Sequence, residues 1–237
     1  MEQRVLDKWT ISGSTLKMIA IITMLIDHIG ASILETYMYS YQEGFKEWWQ
    51  CYLILRRIGR VAFPIFIFLL IEGFYHTKNR WKYARNLLLF GLLSEIPFDL
   101  AFSGVPFDWG YQNVMFTLLL GFITMWVDDK VKTESMGYVK SGICFIICAS
   151  IAYFAHTDYY YFGVLAIYVL YQVRKYKSVF NIAGILLFAW ELTAPIAFLF
   201  TSLYNGKRGL SLKYFFYLFY PVHLLLLGLI RLHFFSH

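Results

Sequence analysis

Apolar residues in this chain run in long stretches, and polar residues collect between them. About 20 successive apolar residues make a helix long enough to cross a hydrocarbon core about 30 Å thick. The pattern predicts helices over Thr15 to about Tyr37, Tyr52 to Tyr75, Tyr83 to Phe102, Gln112 to Val127, Tyr138 to Ala155 and Tyr159 to Gln172. The run Ser178 to Tyr204 is too long for one span, and Glu191 and Pro195 divide it into two short helices. Lys213 to about Phe234 forms the last helix, giving nine in all. Pro64 is expected to kink the second helix and Pro97 to interrupt the third.

Composition narrows the class. The chain has 237 residues, of which 59% are hydrophobic, 21% aromatic and only 15% charged. A soluble domain carries roughly 25% charged residues. The mean hydropathy is +0.55. Too little polar surface is available to cover a globule in water, which excludes a soluble enzyme, a disordered protein and a free-standing nucleic-acid binder. The expected fold is an all-α, polytopic membrane helical bundle of one domain over residues 1–237. Asp27 and His28 interrupt the first apolar run, so it reads as an uncleaved first helix and not as a cleaved signal.

The net charge of +6 and pI of about 9.1 would suggest nucleic acid in a soluble protein. Here the basic residues cluster at every second boundary: Arg4, Lys8 and Lys17; Lys78, Arg80, Lys82 and Arg85; Lys130, Lys132 and Lys140; Arg174, Lys175 and Lys177; Lys207, Arg208 and Lys213. The alternate boundaries, around Asp108, Asp158 and Glu191, are acidic or neutral. Basic loops face the cytoplasm, which places the N-terminus there and the C-terminus outside. Arg56, Arg57 and Arg60 break the pattern. Cys51, Cys144 and Cys148 are expected to be inert buried thiols.

Ionisable groups within spans are costly and mark function. Lys17 and His28 are eleven residues apart. At about 100° and 1.5 Å per residue they share one helix face, about 16 Å apart along the axis. Glu35 continues the stripe. Asp27 adjoins His28, but neighbours at i,i+1 do not face each other, so another helix should orient the imidazole. An unperturbed imidazole titrates near pH 6.5 (roughly) and serves as a general base. Glu95 and Asp99 flank Pro97 and should face the bundle interior. There they could orient His28, bind an acceptor, or pair with Arg57 and Arg60. Glu72, Gln112, Asn113 and His223 are further interior polar residues, read as helix-to-helix hydrogen bonding or as acceptor contacts. No metal is expected, because His76, His156, His233 and His237 show no ligand spacing.

Several ordered blocks resemble the TraX family of integral membrane acetyltransferases, a known member of which N-acetylates conjugative pilin. They are Leu16 to Gly30, Arg57 to Phe66 running on to Glu72 to Thr77, Ser94 to Leu100, Gln112 to Val114, and Phe219 to His223. The spacing of Lys17 and His28 is also similar to an Arg/Lys-x10-His motif of the wider transmembrane acyltransferase superfamily. There the histidine is the catalytic residue and acyl-CoA the cytoplasmic donor. That superfamily has an Arg-x-x-Arg element after its second helix. Arg57-x-x-Arg60 matches it in letters and Lys82-x-x-Arg85 in position. The resemblance implies a bacterial cytoplasmic-membrane enzyme using acetyl-CoA. Its phosphates would meet Lys17, Lys82 and Arg85. The extracytoplasmic acceptor would be a pilin-like peptide N-terminus or a glycan. Asp27, Glu95 or Asp99 would support His28, and Arg57 and Arg60 would hold an anionic acceptor or the oxyanion. A proton-coupled transporter and a scaffold of a secretion machine stay open as other readings.

Overall fold

A computed structural model describes residues 10–41, 45–211 and 213–235. Arg4, Lys8 and His237, named above, lie outside them. The α-helices are α1 Gly13–His28, α2 Glu35–Tyr41, α3 Phe45–Gly59, α4 Ala62–His76, α5 Arg80–Phe102, α6 Val114–Val131, α7 Gly137–Phe154, α8 Tyr160–Val173, α9 Lys177–Leu187, α10 Ala197–Ser202 and α11 Lys213–Phe235. A π-helical segment, Ile29–Leu34, joins α1 to α2, and a 3-10 turn, Ala194–Ile196, precedes α10. Among the described residues extended pairing is limited to isolated bridges, Ile11 with Tyr204 and Gln112 with Thr157.

Short polar side chains begin the helices by satisfying first-turn N–H groups. Ser12 Oγ accepts from Thr15 N at 3.2 Å, Asn79 Oδ1 from Lys82 N at 2.8 Å, and Asn113 Oδ1 from Met115 N at 3.0 Å.

The expectation of nine spans is corrected. Among the described residues, three helical stretches are long and apolar enough to cross a membrane: Gly13–Tyr41, Gly137–Phe154 and Phe215–Phe235. The shortfall has physical causes. The predicted helix from Tyr52 to Tyr75 is two helices, α3 and α4, broken at Arg60 and Val61. Helix α6 has the length but carries Asp128, Asp129 and Lys130 near its end. The divided run yields α9 and α10, of 11 and 6 residues.

The prolines also behave differently from expectation. Pro64 is the third residue of α4, where a missing N–H costs no intrahelical bond. It starts a helix instead of kinking one. Pro97 lies inside an unbroken α5.

The basic boundaries converge on one end of the bundle. Arg80 of α5 pairs with Asp129 of α6 at 2.6 Å, and Arg174 after α8 pairs with Glu72 of α4. Ile11 N donates to Leu203 O at 2.9 Å, and Gly13 N to Lys207 O at 2.8 Å. The acidic and neutral loops meet at the opposite end. Gln112 N donates to His156 O and Asp158 N to Gln112 O, both at 2.9 Å. Arg60 reaches Glu191 at 3.3 Å, and Thr193 Oγ1 donates to Arg57 O at 2.5 Å.

Of the three apolar clusters among the described residues, the two largest position the site. The larger gathers Ile65, Ile71, Phe74, Phe122 and Ile167 from α4, α6 and α8. The smaller joins Ile21, Met24, Phe98 and Leu224 from α1, α5 and α11. Gly228 lets α11 lie close against α5, since a Cβ there would come within 2.7 Å of Leu100 Cβ. Outward faces stay apolar: Leu92, Leu93, Ile146 and Leu226 are exposed. In water such patches would be a liability; in lipid they are the required surface.

Candidate functional site

His28 ends α1, where the backbone loosens into the π-helical segment. Single π turns inside helices recur at functional sites. The His28 Nδ1 atom lies 2.8 Å from His223 Nε2. On its other side, His223 Nδ1 lies 2.6 Å from the Phe219 carbonyl oxygen. The two rings stack, with centroids 5.0 Å apart and planes 12° from parallel. Phe102 closes edge-on at 5.2 Å.

The chain of contacts fixes the protons of the neutral rings. A carbonyl only accepts, so His223 Nδ1 carries its hydrogen and His223 Nε2 is the acceptor. His28 Nδ1 therefore donates, and His28 Nε2 keeps a free lone pair. That is the arrangement of a base or nucleophile oriented by a third group.

A cavity of about 750 Å³ opens around His28 toward the acidic and neutral loops. Its walls include Asp27, Arg56, Arg60, Tyr111 and Asp158. Asp27 pairs with Arg56 at 2.7 Å. Gly59 presses on this aspartate so closely that an added Cβ would lie 2.1 Å from Asp27 Cβ. Tyr111 donates to Asp158. Burial pushes the Asp158 carboxyl, which lies in a loop, above its ordinary range, against the pull of the Tyr111 bond and nearby Arg60. Asp108, in the exposed loop after α5, is held below its ordinary range by the Ser103 hydroxyl.

A second cavity, of about 690 Å³, reaches in from the basic end. Lys17, Lys82, Arg208 and His76 line it, together with Glu72 and Asn86. Lys17 Nζ sits 5.3 Å from the Phe216 ring centroid, a cation–π contact. Met24, Phe66 and Val114 belong to the walls of both cavities.

The residues singled out from sequence divide between these places. Lys17 and Lys82 share the basic-end cavity. His28, Asp27, Glu35 and Arg60 share the other. Arg57 and Arg85 are exposed and belong to neither wall. The group placed against His28 Nδ1 is His223, not a carboxylate. Glu95 instead accepts from Asn113 Nδ2, whose amide also bonds Gly91 O at 2.9 Å. Asp99 accepts from Asp108 N at 2.9 Å. These bonds tie α5 to the start of α6 and to the following loop. Glu35 accepts from the Tyr52 hydroxyl at 3.1 Å. Glu72 is paired with Arg174 and lies 3.5 Å from His76. Gln112 spends its backbone on the 156–158 loop. Sequence reasoning did not find Arg208, Tyr111 or Asp158 as wall residues. All three are on or beside loops, where helical periodicity carries no signal.

Membrane-length apolar helices, basic boundaries gathered at one end, and a histidine pair whose His28 lines one of two cavities define a helical membrane protein with an interior polar site. Residues 12–231 match the family model described as TraX protein, and the chain belongs to the TraX family. It is also similar to a probable fimbrial assembly protein, FimC of serogroup H1, from Dichelobacter nodosus. The two are 31% identical over 243 residues, covering 91% of this chain and 94% of the relative. No solved structure matches.

Proposed function

We propose that this protein is an acyltransferase of the bacterial cytoplasmic membrane that moves an acetyl group from acetyl-CoA to an amine or hydroxyl. The observation that carries the reading is the His28–His223–Phe219 carbonyl chain, which leaves His28 Nε2 bare beside a cavity. The basic end faces the cytoplasm, and CoA phosphates meet Lys17, Lys82 and Arg208 there. Cations at that boundary suit a phosphate-rich donor. The acceptor arrives through the opposite cavity.

In the reaction His28 Nε2 removes the acceptor's proton as its nitrogen or oxygen attacks the thioester carbon. The tetrahedral oxyanion collapses, the carbon–sulfur bond breaks, and the CoA thiolate takes the proton back from His28. His223 holds the imidazolium through its Nε2. Arg56 and Arg60 supply positive potential for an oxyanion or an anionic acceptor. The relative's name, fimbrial assembly protein, favours a pilin-like peptide over a glycan as acceptor. A proton-coupled transporter would share the interior histidines and opposed cavities, but it gives no reason for a response to CoA.

Transfer of label from acetyl-CoA to exported peptides is the test, with protein purified in detergent. His28→Ala should lower the rate about 10²–10⁴-fold, the usual range for a lost general base, with unfolding temperature nearly unchanged. Full activity in that variant would overturn the mechanism.

A further inference from the structure

The partition between the two cavities is made of three side chains. Met24 of α1, Phe66 of α4 and Val114 at the start of α6 face the space of Lys17 and Lys82 and also the space of His28. Phe66 and Val114 pack against both of the two largest apolar clusters, so they sit where these two join. Met24 is buried and stands one helical turn before His28, about 6 Å along the axis. The partition therefore lies next to the imidazole. A thioether, a phenyl ring and an isopropyl group form it, and none can neutralise a charge.

We propose that Met24, Phe66 and Val114 form a selectivity aperture that passes the donor's acyl group to His28, admitting neutral, slender acyl groups and rejecting charged or wide ones. The proposal rests on the acyltransferase reading above. A thioester anchored by its phosphates at Lys17, Lys82 and Arg208 must bring its acyl carbon past these three side chains to reach the cavity of His28. An acetyl group is small and uncharged. A malonyl group carries a second carboxylate, which would be stripped of water against apolar walls without a partner, a strongly unfavourable transfer. A benzoyl group is wider than a gap closed by one phenyl ring. The aperture itself makes and breaks no bond.

Thermal unfolding of the full-length protein in detergent, titrated with CoA, acetyl-CoA, malonyl-CoA and benzoyl-CoA, gives the affinities through the stabilisation each confers. The wild type should bind acetyl-CoA at least as tightly as CoA, and malonyl-CoA and benzoyl-CoA about tenfold more weakly, a difference of about 1.4 kcal/mol. Phe66→Ala should restore benzoyl-CoA to within about threefold of acetyl-CoA while malonyl-CoA stays weak, because the widened gap is still apolar. Met24→Ala, a smaller change to the same gap, should move benzoyl-CoA in the same direction and serves if Phe66→Ala does not fold. Equal affinity of the wild type for all four compounds would overturn the aperture and leave the donor reading standing. So would variants that keep the wild-type ranking. Absence of stabilisation by CoA and by every thioester would overturn both.

Discussion

An imidazole surrounded by apolar helices has a defined protonation pattern only when something fixes one of its nitrogens. Here His223 does this for His28, and the Phe219 carbonyl does it for His223. Both nitrogens of His223 are occupied by these partners, so the proposed mechanism gives it a positioning role. His223→Ala should lower kcat about 10–100-fold, less than the roughly 10²–10⁴-fold loss of the base itself, and leave the KM for acetyl-CoA unchanged. His223→Gln, whose amide oxygen can accept from His28 Nδ1, should recover much of the loss. Steady-state kinetics of the two variants decide this, and equal activity of His223→Ala and wild type would remove His223 from the mechanism. The sequence showed Lys17 and His28 because eleven residues on one helix define a face. It could not show the pairing with a residue 195 positions away, which arises only when α11 packs against α1. For the same reason Glu95 and Asp99 looked available for His28, while one oxygen of each is engaged elsewhere, Glu95 Oε2 by Asn113 and Asp99 Oδ2 by the Asp108 backbone.

At the scale of elements, the break between α3 and α4 matters most. A long apolar run with three arginines reads as one span carrying misplaced charge. The structure resolves the conflict by ending α3 at Gly59, turning through Arg60 and Val61, and starting α4 with Pro64 in its first turn. Arg56 and Arg60 then reach Asp27 and Glu191 at the opposite end. Periodicity sees helix on both sides of a turn of two residues, Arg60 and Val61, which is too short to interrupt the pattern. Close approach of α3 to α1 depends on Gly59, whose missing side chain leaves room for Asp27. Gly59→Ala should cost about 1–3 kcal/mol, the range for overpacking an interior, because the atom in the way is a Cβ and not a flexible tip. Gly142→Ala is the control: nothing lies within 4 Å of its added carbon, so helix propensity should make it neutral or stabilising by up to about 1 kcal/mol. Thermal unfolding of both variants in one detergent checks the contrast.

At the scale of the whole molecule, alternation of basic and acidic boundaries was legible before any coordinates, because charge at loops depends only on the order of the runs. The number of crossings was less legible, because helices of 11 and 6 residues pack within the bundle without being long enough to span lipid alone. The separation of the two kinds of boundary does not depend on that number, since the pairs Arg80–Asp129 and Arg174–Glu72 gather basic boundaries at one end while Arg60–Glu191 marks the other. The proposed division of labour between the cavities depends on which end meets the cytoplasm. Single cysteines at Gly206 and at Gly110, on a background lacking Cys51, Cys144 and Cys148, would report it. Gly206 lies in an open loop at the basic end, and Gly110 in the loop after α5 at the other. In intact spheroplasts a membrane-impermeant maleimide should label the cysteine at position 110 and spare the one at 206 until the membrane is opened. The reverse labelling would put the Lys17 cavity outside, where acyl-CoA is absent, and the donor assignment would fall with it.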